Sequence, residues 1–138
     1  MINVKSIWFH LPLAGYALLI YILSSIPSLT PPDLGINAED KLIHCAEYAI
    51  LGALILRSIS WSVNPISTEW LWLAWLFGVL YGISDEIHQY FVPNRVASPW
   101  DALADAIGVA IGVLVYWKYL ERKKIADAGI EQTTSTMN

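Results

Sequence analysis

The residues with chemical potential in this chain sit where an apolar sequence should not carry them. Lys41, His44, Tyr48 and Gly52 recur at helical spacing, as do Gly78, Gly82, Asp85 and Gln89, with Glu86 flanking. A third stripe is Asp101, Asp105, Gly108 and Gly112. Carboxylates beside an imidazole suit general acid and base work, and an arginine suits bidentate capture of phosphate or carboxylate. Each of these groups lies in or beside a long apolar run. An ionised side chain at mid-membrane costs about 2.5–3.5 kcal/mol on insertion scales, so such residues mark function by default. Lys41 and Arg95 offer two positive charges against Asp85, Glu86, Asp101 and Asp105. The deficit predicts a protonated carboxylate, a bound cation or a cationic ligand.

The elements that must position these groups follow from composition. The 138 residues are 56% hydrophobic and only 14% charged, with mean hydropathy +0.49. Soluble domains carry about 25% charged residues, so this chain reads as an integral membrane protein. Cys45 is alone, which excludes a disulfide scaffold, and a net charge of −4 argues against nucleic-acid binding. The apolar runs predict an all-α, four-helix transmembrane bundle, with helices over Ile7–Ile26, Lys41–Ser60, Glu69–Phe91 and about Trp100–Leu120. Pro27, Pro31, Pro32 and Gly35 mark a loop after the first, and Pro99 suits the first turn of the fourth. Residues 1–120 form one domain, and 121–138 read as a polar, mobile tail.

Lysine and arginine set the expected orientation. Lys5, Arg57, Lys118, Arg122, Lys123 and Lys124 share one side; Lys41 and Arg95 share the other. Both termini are therefore expected in the cytoplasm, with the cluster from Lys118 to Lys124 anchoring to anionic headgroups. The polar stripes then converge in the outer half of the bilayer. Trp70 to Ser84 rises only about 22 Å against a hydrocarbon core of roughly 30 Å, so Asp85 and Glu86 fall within it or at its edge. The pairs Gly78/Gly82 and Gly108/Gly112 let helix backbones approach closely on those same faces.

Two segments carry a resemblance. Asp40-Lys41-x-x-His44-x-x-x-Tyr48-x-x-Leu51-Gly52 resembles the second-helix signature of the VanZ-like family. Asp85-Glu86-x-x-Gln89-x-Phe91-Val92-Pro93-x-Arg95-x-x-Ser98-x-x-Asp101, with Gly108 and Gly112 beyond, resembles its second block. Asn94 stands where the family often has glycine, and Asp105 where asparagine is usual. The resemblance spans about residues 7 to 120. It implies a small multi-pass protein of the bacterial plasma membrane, in a family named for a protein associated with teicoplanin resistance. It also implies a functional set of Lys41, His44, Asp85, Glu86, Gln89, Arg95 and Asp101.

Three readings remain open. In an enzyme acting on a lipid-linked or phosphate-bearing envelope component, Glu86 or Asp85 is the base and His44 the acid. Lys41 and Arg95 hold the anion, and Gln89, Asp101 and Asp105 complete the binding surface. A binding or masking protein would use the same groups without chemistry. A structural subunit would use them as interhelical contacts. Divalent metal is a further alternative, with Asp85, Glu86, Asp101 and Asp105 offering hard oxygens. No spacing matches a defined metal motif, so no ligand is assigned. Tyr48, Tyr81, Tyr90 and Cys45 read as packing residues, and Glu47 lies off the main stripe. Membrane lipids are the expected surroundings; the oligomeric state is not legible.

Overall fold

A computed structural model describes residues 4–27 and 39–136. These form four helices: α1 (Val4–Ser24), α2 (Glu39–Ser60), α3 (Thr68–Tyr90) and α4 (Pro99–Thr136). Among the described residues there is no strand. The loop punctuated by Pro31, Pro32 and Gly35 lies outside them.

The helices are inside out by the standards of a water-soluble bundle. Leu18, Phe77, Leu80, Ile107 and Val115 are exposed, whereas Asp85, Glu86, Gln89, Asp101 and Asp105 are buried. An apolar exterior of this extent needs a partner phase, and lipid is the one that length and composition supply. Three segments are long and apolar enough to cross a membrane: Ser6–Ser24, Asp40–Ser60 and Pro99–Ile130. The fourth expected span, α3, has sufficient length at 23 residues but not sufficient apolarity. Its carboxylates are the reason, and they face inward: the buried positions of α3 are Ala74, Gly78, Gly82, Asp85, Glu86 and Gln89.

The expected end of the fourth helix near Leu120 is corrected. α4 continues through the polar segment to Thr136. Residues 121–128 contain no proline and are good helix formers, and a single Gly129 weakens a helix by about 1 kcal/mol without ending it. Polarity there marks departure from the apolar phase, not the end of the helix.

The most extensive helix contact joins α2 and α4. Their pairings climb together: Lys41 with Asp101, His44 with Asp105, Cys45 with Gly108, Ala49 with Gly112. The two helices therefore run parallel, and small residues bring their backbones into contact. A methyl group built on Gly108 would strike the Cys45 carbonyl, and one on Gly112 the Ala49 carbonyl. α3 runs antiparallel to α4, with Gly78 against Val109 and Gly82 against Asp105. Trp75 Nε1 donates to the Ala106 carbonyl at 3.0 Å and ties the two.

α1 is the peripheral helix, and a proline governs how it docks. Pro12 has no N–H, so the Trp8 carbonyl loses its helical donor. Arg57 of α2 replaces it: Nη2 donates to Trp8 O at 3.3 Å and Nη1 to Phe9 O at 3.0 Å. The guanidinium also lies 4.8 Å from the centre of the Phe9 ring. Tyr81 of α3 donates to the Ala17 carbonyl, holding the same helix further along.

Two outcomes check this packing. Gly112→Ala should destabilise the solubilised protein by about 1–3 kcal/mol or more, because its methyl meets rigid backbone. Gly15→Ala, where nothing lies within 4 Å, should be neutral or stabilising in the same thermal assay. Separately, Arg57→Met should weaken α1 docking, read as faster proteolysis of α1. Pro12→Ala should rescue about 1 kcal/mol of that loss by restoring a donor to Trp8. Additive effects of the pair would refute the assignment of Arg57 to the proline gap.

Candidate functional site

The start of α2, the end of α3 and the start of α4 meet at one end of the bundle, and α1 ends beside them. The α3–α4 turn is built by its sequence. Pro93 and Asn94 fill the middle of a turn closed by Arg95 N–H to Val92 O, and Asn94 has φ 60°. That is the left-handed geometry a type II turn demands of its third residue, which asparagine tolerates. Ser98 then caps α4: its carbonyl accepts from Asp101 N–H and its hydroxyl from Trp100 N–H, and Pro99 opens the helix.

Two clusters result. In the first, Lys41 Nζ lies 3.1 Å from Asp101 Oδ1, and His44 Nδ1 lies 3.0 Å from Asp105 Oδ1. Asp40 flanks both residues, at 3.9 Å from Lys41 Nζ and 4.0 Å from His44 Nε2. Glu86 reaches in from α3, its Oε2 accepting from Ser98 N–H at 2.8 Å. His44, Glu86 and Asp101 each present a ligand atom within 4.8 Å of the others. In the second cluster, Asp85 accepts from Ser24 Oγ of α1 through one oxygen and from Gln89 Nε2 at 2.9 Å through the other. Ser25 Oγ pairs with His88 Nε2 at 2.9 Å alongside. Arg95 Nη2 donates to the Leu23 carbonyl at 2.8 Å, joining the turn to the end of α1.

The structure thus sorts the sequence-derived set. Lys41, His44, Glu86, Asp101 and Asp105 come together between α2, α3 and α4. Asp85 faces α1 through Ser24, with Gln89 bonded to it from the next turn of α3, so both Asp85 oxygens are filled by neutral donors. Asp85 and Glu86 are consecutive, so a helix turns them about 100° apart and gives them different neighbours. Residues outside the sequence-derived set also matter. Ser24 and Ser98 supply donors to carboxylates, and Ser24 left no signal beyond being a polar residue at a helix end. Tyr48, read as packing, is fully buried with its hydroxyl unbonded. Its signal was present: it lies one turn after His44 on the same stripe.

The site keeps unused polar atoms. Glu86 Oε1, Asp105 Oδ2 and Tyr48 OH are buried and have no hydrogen-bond partner among the described residues. Asp105 and Tyr48 both press on Gly82, whose missing side chain makes room: a methyl there would be 3.2 Å from Asp105 Oδ2 and from Tyr48 Cε1. Buried polar atoms normally find partners, so three such atoms at one place mark a site equipped for something it does not itself contain.

A pair of substitutions separates fastening from equipment. Ser24→Ala strands a buried oxygen of Asp85 and should cost about 1–3 kcal/mol. Glu86→Gln keeps an acceptor for Ser98 N–H and replaces a buried ionisable carboxyl with a neutral amide, breaking none of the ion pairs described. It should leave the melting temperature unchanged or raise it. A clear fall for Glu86→Gln would assign Glu86 to the scaffold.

Comparison with known proteins agrees with this architecture. The VanZ/LLP1 family model matches residues 12–121, which runs from the middle of α1 to the apolar part of α4 and includes every residue of both clusters. No curated protein and no solved structure matches the chain. With most of its length matched and both sequence blocks meeting at one end of a membrane-type bundle, this chain belongs to the VanZ/LLP1 family.

Proposed function

We propose that this protein is a multi-pass protein of the bacterial plasma membrane whose outward-facing polar cluster engages a lipid-linked, phosphate-bearing component of the cell envelope. The observation that carries this reading is the group of three buried polar atoms without partners, set where α2, α3 and α4 meet. Orientation is inferred from charge: Arg57, Lys118, Arg122, Lys123 and Lys124 lie on the last turns of α2 and the later part of α4, away from the cluster. The cluster then opens toward the outer leaflet, where lipid-linked envelope precursors present their headgroups.

In this reading Asp105 accepts the hydrogen on His44 Nδ1 and so holds the imidazole with Nε2 toward the ligand. Glu86 Oε1 is the second group available to a reacting proton. Lys41 is half exposed and can turn from Asp101 toward a phosphate. The same groups support binding without turnover, and a link to glycopeptide susceptibility follows from the family name alone.

A second reading has its own observation. Lys41–Asp101, His44–Asp105 and Ser24–Asp85 each join two helices, as interhelical fastenings would. Such contacts average about 0.6 kcal/mol in membranes, so a purely structural cluster is a weak use of so many buried charges.

The test has two parts. Val96→Cys, on the exposed α3–α4 turn, should react with a membrane-impermeant maleimide in intact cells, and Ile125→Cys only after lysis. The reverse pattern would invert the protein and sink the outward-facing assignment. Native mass spectrometry of the gently solubilised protein should show a phosphate-bearing lipid adduct that Glu86→Gln or His44→Gln removes. An adduct indifferent to both substitutions would be annular lipid and would count against the site.

A further inference from the structure

We infer that His44, Glu86 and Asp101 form a binding site for a divalent first-row transition-metal ion. The three come from three different helices, and a ligand atom of each lies within 4.8 Å of the other two. One imidazole with two carboxylates is a donor set suited to Zn²⁺ or Mn²⁺. Across a metal with bonds of roughly 2.1 Å, ligand atoms stand at most about 4.2 Å apart. The separations in this group are on that scale, and Glu86 Oε1, which has no hydrogen-bond partner among the described residues, is the oxygen left to close on an ion.

Glu86 supplies the independent observation. Its side chain is 7% exposed, its Oε2 is fixed by Ser98 N–H, and its Oε1 is buried without a donor. A carboxylate oxygen held at a cost and left empty by the protein wants a cation. Lys41 does not fill that role. Its ammonium is committed to Asp101 at 3.1 Å, with Asp40 its other carboxylate neighbour within 4.0 Å.

The surroundings are those a metal-binding histidine needs. Metal-ligating imidazoles usually donate their other N–H to a carboxylate, which sets the tautomer and raises ligand basicity. Asp105, wholly buried, accepts at 3.0 Å from His44 Nδ1 and leaves Nε2 as the coordinating atom. This also gives a use to an aspartate where asparagine would have been neutral. Lys41 acts as a built-in competitor, because the ammonium and the metal share Asp101. The metal stands on this geometry whether or not the ligand proposed above is the natural one; if both hold, the ion neutralises the acidic cluster and offers open positions to phosphate oxygens.

The experiment uses the full chain in a phosphate-free maltoside detergent, stripped of metal and lipid and titrated with Mn²⁺ and Zn²⁺. One saturable site per chain is expected. Affinity should fall at least about tenfold in Glu86→Gln and by about 10–100-fold in Asp105→Asn, which touches only the supporting shell. It should rise in Lys41→Gln and stay unchanged in Glu69→Gln, an exposed acid in the first turn of α3. Electron spin-echo spectroscopy of the Mn²⁺ complex should show a nitrogen coupling that His44→Gln abolishes and His88→Gln retains. Absence of saturable binding to the wild type, or binding equal in Glu86→Gln, overturns the proposal. Should Glu86→Gln not fold, a wild-type complex without nitrogen coupling overturns it as well. Metal binding without a lipid adduct would retire the phosphate ligand and leave the metal site standing.

Discussion

The backbone contact between α2 and α4 sets the geometry on which everything else in this molecule depends. Apolar side chains cannot hold helices together against lipid, since lipid tails are as apolar as leucine. Close approach is the remaining resource, and it requires that side chains be absent. Gly108 sits on the Cys45 carbonyl, Gly112 on the Ala49 carbonyl, and Gly52 on the backbone of Val109. This fixes the two helices in one parallel register. A shift of a single residue would rotate Lys41 and His44 away from Asp101 and Asp105 by about 100°. The ion pairs at the end of the bundle are thus a consequence of glycines further down it.

α3 completes the site by the same means. Its small residues Gly78 and Gly82 lie against Val109 and Asp105, so the helix settles deep enough to carry Glu86 over the start of α4. Ser98 then performs two tasks with one backbone unit: its carbonyl begins α4, and its N–H fixes Glu86. The turn between the helices is a spacer of defined shape, with its left-handed residue at Asn94. α1 closes the far side, fastened at one end by Arg57 across the gap left by Pro12 and at the other by Ser24 on Asp85.

This division explains why adjacent acids have different fates. Asp85 has both oxygens engaged by neutral donors, one from α1 and one from its own helix. Glu86, Asp105 and Tyr48 retain capacity. A bundle built only to be stable would have matched these atoms or replaced them with hydrocarbon, because a half-satisfied buried network is worse than an apolar core. Two of the three residues that bear these atoms, Glu86 and Asp105, flank His44.

Much of this was legible in the amino-acid sequence. Low charge and long apolar runs determine the helical membrane architecture, because backbone polar groups in lipid must be satisfied within the helix. Helical periodicity places Lys41 and His44, Asp85 and Gln89, and Asp101 and Asp105 on defined faces, and the glycine pairs identify those faces as interior. Two things were decided only by tertiary structure. The separation of Asp85 from Glu86 depends on which neighbour occupies each side of α3, and periodicity within one helix carries no information about that. Ser24 became a partner of Asp85 because α1 packs beside α3 with their last turns level, a relation set by packing and invisible in local pattern. The length of α4 followed helix propensity past the point where apolarity ended, since hydropathy reports the surrounding medium while helix formation needs only suitable residues and no breaker.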